Sequence, residues 1–262
     1  MSYTPKSEQL GQLLDWQSAA TDAPPNLEDR QIHLWSLPLH LSDSEVERAK
    51  LMLNDTQRDK FARRATPELQ NAYLAGRYHL MTLLGAYSRV DPHRLQLSYN
   101  RLNKPYLDPN PEDIQFNFTD TITAQGSCGL LAFSRSFALG VDIESLARRS
   151  NFAAIVAKRF TAAETDYVTE SNGEINAARF LACWTRKEAF GKATGRGINF
   201  KMRNIDLASP GSFELDFASD DQPGRPFRLQ QFQMGNDFIA SLVHEGHQSL
   251  PIRAFKSANH IP

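Results

Sequence analysis

The chain has 262 residues, 41% hydrophobic and 23% charged, with 29 basic and 30 acidic side chains for a net charge of −1. That balance leaves no basic excess for nucleic acid or anionic lipid, and the length suffices to bury a core without disulfide staples. Cys128 and Cys183 form no C-x-x-C pair and read as buried thiols; with no signal-type apolar run and no stretch near the roughly 18 residues of a membrane span, a cytoplasmic protein that binds neither nucleic acid nor membrane is expected.

Residues 1–28 read as an N-terminal extension in which Leu10, Leu13 and Leu14 make a short amphipathic turn ended by Pro24-Pro25. I-H-L-W-S-L (32–37) alternates as a buried first strand. Ser42 and Glu45 form a capping box that starts a helix, and Thr66-Pro67 starts a second. From there Leu69, Tyr73, Gly76, Leu80, Leu83 and Tyr87 trace one buried helical face. R-L-Q-L-S-Y (94–99) reads as a strand, N-K-P-Y-L-D-P-N-P as a loop by its prolines, and I-Q-F-N-F (114–118), G-L-L-A-F (129–133) and A-L-G-V-D-I-E (138–144) as three further strands. Thr161 and Glu164 make another capping box, which explains Glu164 fully. A long helix follows over about 177–194, stopped by Gly195. The remainder reads as antiparallel strands around Phe213/Leu215/Phe217, Phe227/Leu229 and Phe238/Ala240/Leu242, with turns at D-D-Q-P-G (220–224) and G-N-D (235–237). Strand, helices, strands occurs twice, so the fold class expected is α+β, built of two similar α/β halves over 29–135 and 136–246, with a tail over 247–262.

Side chains two apart on a strand share a face, so Gly140, Asp142 and Glu144 point together, away from Leu139, Val141 and Ile143. Two adjacent carboxylates repel unless a cation lies between them. Mg²⁺, which takes oxygen ligands and substrate phosphates, would serve, and Gly140 would leave room for a ligand beside the pair. A solvated strand edge is the plainer alternative. Residues four apart on a helix share a face, so Trp184, Glu188 and Lys192 form a column. Glu188 and Lys192 alone read first as a surface ion pair, but Trp184 one turn earlier indicates that the column borders a buried region. Glu188 would then complete an acidic triad, and Lys192, with Lys187 as a second candidate, would hold a phosphate. Gly191-Lys192 lacks the rest of a P-loop, and His244 and His247 lack zinc-site spacing.

Taken together, G-V-D-I-E (140–144), F-T-A-A-E (160–164) and W-T-R-K-E-A-F-G-K-A-T-G-R-G-I (184–198) resemble the signature of the Sfp-type 4′-phosphopantetheinyl transferases. The pattern's fixed positions are filled by Gly140, Asp142, Glu144, Trp184, Thr185, Lys187, Glu188, Ala189, Lys192, Gly195 and Gly197, and the likeness extends over roughly 30–245. The resemblance implies a pseudo-dimer of two joined halves, working as a monomer, with the site in the cleft between them. It implies transfer of the phosphopantetheine arm of coenzyme A to a serine of an apo acyl or peptidyl carrier protein, with release of adenosine 3′,5′-bisphosphate. Asp142, Glu144 and Glu188 would hold Mg²⁺. Glu188, or a metal-bound water it orients, would take the serine proton. Lys192 would pair with the phosphates. Lys104, in the N-K-P loop, and Thr119 would bind coenzyme A, with Arg77 and Arg63-Arg64 as weaker candidates whose alternative is exposed helix charge. Trp184 would pack the helix on the strand of Asp142. Asp120 stands where many members have a histidine that contacts the coenzyme's phosphates. A non-catalytic binding module of the same fold, or a metal-dependent phosphohydrolase, are the competing readings.

Overall fold

The structure, a computed structural model, describes residues 11–124, 126–197, 202–208, 213–219 and 222–258. Strands β1 (Trp16–Ala19) and β2 (Ile32–Leu37) open the fold, followed by helices α1 (Asp43–Leu51), α2 (Asp55–Ala62) and α3 (Pro67–Ser88). The capping box of Ser42 and Glu45 starts α1, and Thr66 caps α3, with Pro67 at its first position. Asn54 and Gln57 make a further box at α2, a helix whose polar sequence gives no periodic signal.

A short hairpin, β3 (Leu97–Tyr99) and β4 (Pro105–Leu107), precedes the long strands β5 (Ile114–Thr123), β6 (Gly126–Arg135) and β7 (Leu139–Ser145). The proline-rich stretch expected as loop thus contributes a strand, because Pro105 sits at the strand's first residue, where its missing N–H costs no ladder bond. Helices α4 (Phe152–Arg159), α5 (Ala162–Val168) and α6 (Ala177–Ala193) follow. Gly195, at φ 69, takes the left-handed exit from α6. The chain ends in β8 (Phe213–Ser219), β9 (Gln222–Met234), β10 (Phe238–Glu245) and β11 (Ile252–Ser257). The expected turn at Gly235-Asn236-Asp237 joins β9 to β10. Leu10 of the expected N-terminal turn, and Asp220 and Asp221 of the expected turn before β9, lie outside the described residues.

Two main sheets result, with strand orders β1-β11-β2-β6-β5 and β7-β10-β9-β8. They correct the expectation that residues 1–28 and 247–262 stand apart from the halves: β11 lies between β1 and β2, parallel to both. Four residues reading W-Q-S-A carry no pattern of their own, and their partner lies over 230 residues away, so the pairing leaves no local trace. For the same reason I-H-L-W-S-L is the second strand rather than the first.

The alternation of each strand sorts its side chains into layers. Trp35, Leu37, Leu131 and Phe133 pack on Leu80, Leu83, Leu84 and Tyr87 of α3. Ile32, Leu34, Leu130 and Ala132 meet Val141, Ile143, Ala240 and Leu242 between the two sheets. Leu229 and Val243 on the far face of the second sheet lie under Ala189, Phe190 and Ala193 of α6. The order helix, sheet, sheet, helix is the α+β architecture expected, with each sheet backed by one long helix. No helix among the described residues is long and apolar enough to cross a membrane.

Candidate active site

The site begins with the alternation of β7. Leu139, Val141 and Ile143 are buried between the sheets, which turns Gly140, Asp142 and Glu144 toward α6. Gly140 serves a different purpose from the ligand space expected of it. A Cβ there would stand 2.2 Å from the Ala189 carbonyl oxygen and 2.3 Å from the Ala193 nitrogen. The space beside the carboxylates is filled by the backbone of α6, and only glycine lets the helix come so close. This approach brings Glu188 against Asp142 and Glu144.

The other edge of β7 faces β5, the edge strand of the first sheet. Asn117 accepts the Val141 N–H at 2.8 Å, and the Thr119 hydroxyl donates to Asp142 Oδ1 at 3.0 Å. The site therefore lies on the seam between the two sheets, with α6 as its third wall. Lys192 Nζ lies 2.7 Å from Asp142 Oδ1 and donates to the Val141 carbonyl at 3.0 Å. Arg148 forms an ion pair with Glu144. Sequence reading missed this arginine, although its place four residues after Glu144 was a usable signal. Asn117 was also missed, since nothing in I-Q-F-N-F distinguishes a strand-bridging amide from an exposed one.

Burial and mutual repulsion shape the electrostatics. Asp142 is 6% and Glu188 7% exposed, so neither is a solvated edge or a surface helix charge. Desolvation, followed by the charge of Asp142, pushes Glu144 up to about 7 against the pull of Arg148 and Lys192. Desolvation and then Asp142 push Glu188 up to about 7 as well, with Lys192 opposing and Glu144 adding to the rise. Asp142 is also raised by burial, opposed by Lys192 and the Thr119 hydrogen bond. Asp142 Oδ2 and Glu188 Oε1 are buried with no hydrogen-bond partner among the described residues. Two buried anionic oxygens without donors are costly unless a cation reaches them. The donor set is all oxygen, as Mg²⁺ prefers. As they stand, no three acidic, histidine or cysteine side chains among the described residues are drawn together tightly enough to hold a metal ion.

Other expected residues fall elsewhere. Lys187 is 1% exposed and pairs at 2.7 Å with Glu164, itself fully buried, while donating to the Ile205 carbonyl at 2.9 Å. It is thus turned toward α5, about 100° around the helix from Glu188, and a phosphate-binding role is corrected to a structural one. Glu164 does more than cap: besides its box with Thr161 it accepts the Leu207 N–H at 2.9 Å and neutralises Lys187. Trp184 stacks on Phe180 at a centroid distance of 6.1 Å, in a cluster with Phe152 and Phe160. It packs α6 toward α4 and α5, not onto β7 as expected.

Lys104 donates to the carbonyls of Leu139 at 3.0 Å and Lys192 at 2.8 Å, with Ala193 at 3.4 Å. The expected contact with a coenzyme phosphate is replaced by backbone. Arg77 and Arg64, with Tyr73, Phe118 and Asp120, line a cavity of about 240 Å³ between α3 and β5. The Arg77 Nε and Nη2 atoms are buried there with no hydrogen-bond partner among the described residues. Arg63 is exposed on the loop before α3. Asp120 lies exposed at the rim of the cavity; partial desolvation raises its carboxyl against the pull of Lys192 and Arg64.

Residues 138–243, which span β7 to β10 and hold all three carboxylates, match the profile of the 4′-phosphopantetheinyl transferase superfamily. The 4′-phosphopantetheinyl transferase HetI of Nostoc sp. is 28% identical over 187 residues, 71% of this chain and 78% of that protein. A phosphopantetheinyl transferase of Thraustochytrium sp. is 27% identical over 192 residues, 66% of this chain and 64% of its own length. The L-aminoadipate-semialdehyde dehydrogenase-phosphopantetheinyl transferase of Rattus norvegicus is 29% identical over 151 residues, 55% of this chain and 49% of its own. The chain thus spans about half to three quarters of these relatives.

Proposed function

We propose, from the match of residues 138–243 to the 4′-phosphopantetheinyl transferase superfamily, that the chain moves the phosphopantetheine arm of coenzyme A onto a serine of an apo acyl or peptidyl carrier protein. The observation that carries the reading is the pair of buried, undonated carboxylate oxygens, Asp142 Oδ2 and Glu188 Oε1, beside the Lys192 ammonium. Anionic oxygens and a lysine on one small surface suit a pyrophosphate: the carboxylates would hold a divalent ion that offsets its charge, and the lysine would pair with it.

Asp142, Glu144 and Glu188 would hold Mg²⁺, which when bound neutralises charge building on the departing adenosine 3′,5′-bisphosphate. The serine oxygen forms its bond to the phosphorus of the arm as the bond to the departing phosphate breaks. Glu188, or a water it orients, would take the serine proton as the bond to phosphorus forms. The Thr119 hydroxyl fixes Asp142 through Oδ1, leaving Oδ2 for its second partner. Lys192, already within 2.7 Å of Asp142, reaches the phosphates by turning its ammonium, since its stem is flexible. Thr119 stands on β5 of the first sheet and Asp142, Glu144, Glu188 and Lys192 on β7 and α6, so the proposed site lies on the seam between two helix-backed halves that would form a pseudo-dimer.

The test is to incubate the protein with an apo carrier protein, coenzyme A and Mg²⁺, and to weigh the carrier. A gain of one phosphopantetheine unit on its serine is expected. Carrier binding without a mass change would replace the reading with a non-catalytic module, and hydrolysed coenzyme A beside unmodified carrier would replace it with a phosphohydrolase.

A further inference from the structure

We propose that Lys104 is a positioning residue that clamps the C-terminal end of α6 and so holds Lys192 opposite Asp142. The inference concerns the same site as the transferase reading, but its structural part stands without it. An ammonium has three N–H donors and no acceptor. Those of Lys104 face three backbone carbonyls, of Leu139 at the start of β7 and of Lys192 and Ala193 at the end of α6. A phosphate could be gripped only by releasing one of them. The last carbonyls of a helix have no partner within it, and a cation at that end also meets the negative pole of the helix dipole. Lys104 brings a cation and a further donor to these carbonyls, that of Lys192 also accepting the Gly195 N–H, from a different part of the fold, the turn between β3 and β4.

The turn is built to deliver it. Asn100 Oδ1 accepts the N–H groups of both Leu102 and Lys104, each at 2.9 Å, and the Asn100 N–H donates to the Lys104 carbonyl at 3.0 Å. Asn103 takes the left-handed conformation that closes the loop, at φ 65. The same loop lies against the helix exit: a Cβ on Gly195 would stand 3.5 Å from Asn100 Nδ2 and 3.7 Å from Lys104 Cδ, ordinary contact distances. Enclosure between hairpin and helix pushes the Lys104 ammonium down to about 8, as expected of a charge held away from water. The carbonyl at 2.8 Å belongs to Lys192 itself. One ammonium therefore fixes the backbone of the residue whose own ammonium lies 2.7 Å from Asp142.

Lys104→Met keeps the apolar stem and removes the donors. Three readouts are taken on the full chain. Hydrogen exchange of the Thr194–Gly197 amides is expected to speed by at least about ten-fold, with β5 and β6 unchanged, since these amides bond back to Phe190, Gly191 and Lys192. Coenzyme A affinity, measured by calorimetry without carrier, is expected to stay within about three-fold. Turnover at saturating coenzyme A is expected to fall by about ten-fold or more, because small displacements of a positioning group act on kcat. Unchanged exchange at Thr194–Gly197, or a ten-fold loss of coenzyme A affinity with turnover at saturation preserved, would overturn the proposal, the second by making Lys104 a direct ligand. If Lys104→Met does not fold, Asn100→Ala leaves the ammonium in place but frees the loop, and the same pattern at smaller amplitude decides. Should the wild-type protein neither bind coenzyme A nor modify a carrier, the transferase reading falls, and the exchange measurement alone judges the clamp.

Discussion

Replacing Gly140 by alanine tests the seam more directly than any change of a charged residue. The added carbon would stand 2.2 Å from the Ala189 oxygen, 2.3 Å from the Ala193 nitrogen and 2.9 Å from the Lys192 carbonyl carbon. Comfortable separations begin near 3.5 Å, so α6 must withdraw by about 1 Å. All three atoms are backbone, and no side chain can swing aside to absorb the clash. Overpacking of a core costs about 1–3 kcal/mol, and a backbone wall places Gly140→Ala near the top of that range. Against a total stability of roughly 5–15 kcal/mol the variant still folds, with a melting temperature lower by about 6–12 °C. Its activity suffers more. The same withdrawal carries Glu188 and Lys192 away from Asp142, and a 1 Å error in a reacting geometry costs about 10²-fold in rate. Urea denaturation and the carrier mass assay on one preparation read both effects. A Gly140→Ala protein as stable as the parent and equally fast would show that α6 does not depend on the missing side chain.

Other expectations concern single side chains. Glu188→Gln removes the proton acceptor and should lower turnover by about 10²–10⁴-fold, while stability holds or rises because a buried carboxylate without donors is replaced by a neutral amide; transfer at the parental rate would exclude Glu188 from the chemistry. Glu164→Gln preserves the helix cap but strands the buried Lys187 charge, at a cost of about 3–5 kcal/mol in urea denaturation. Adding Lys187→Met should recover more than half of that loss, and a double variant no more stable than the single would contradict the pairing. His33 is fully buried, between Tyr87 at 2.7 Å and Gln31 at 2.8 Å, and burial, with the charge of Arg253 adding, pushes it down to about 4. Its folded state binds fewer protons than the unfolded chain below pH 6.5, so stability is lost as pH falls from 6.5 toward 4, by at most about 3 kcal/mol. His33→Gln should flatten that part of the pH profile relative to the parent.

What could be read beforehand follows the two short periods of the backbone. G-V-D-I-E shows a strand face by its alternation, and the column of Trp184, Glu188 and Lys192 follows from 3.6 residues per turn, so the acidic site was legible. Asp142 and Glu188 also needed only short side chains to reach their places. Lys104 and Lys187 have four-carbon stems, and their direction is decided by carbonyls and a carboxylate supplied from other elements; no spacing rule contains that information. Gly140 was recognised as marking a close approach, but sequence cannot say whether ligand or helix approaches. The pairing of β1 with β11 lay beyond reach because sheet partners distant in sequence carry no periodic mark.

The placement of β11 between β1 and β2 has a consequence for anyone dissecting the protein. A fragment cut at residue 135 would keep β2, β6 and β5 but lose the strand that lies against one whole side of β2. Its exposed edge would recruit a neighbour, so such a fragment should aggregate rather than fold. During synthesis the first sheet must likewise wait for residues 252–257 to leave the ribosome before its central strand is covered on both sides, and residues 138–243 will already have emerged when it closes.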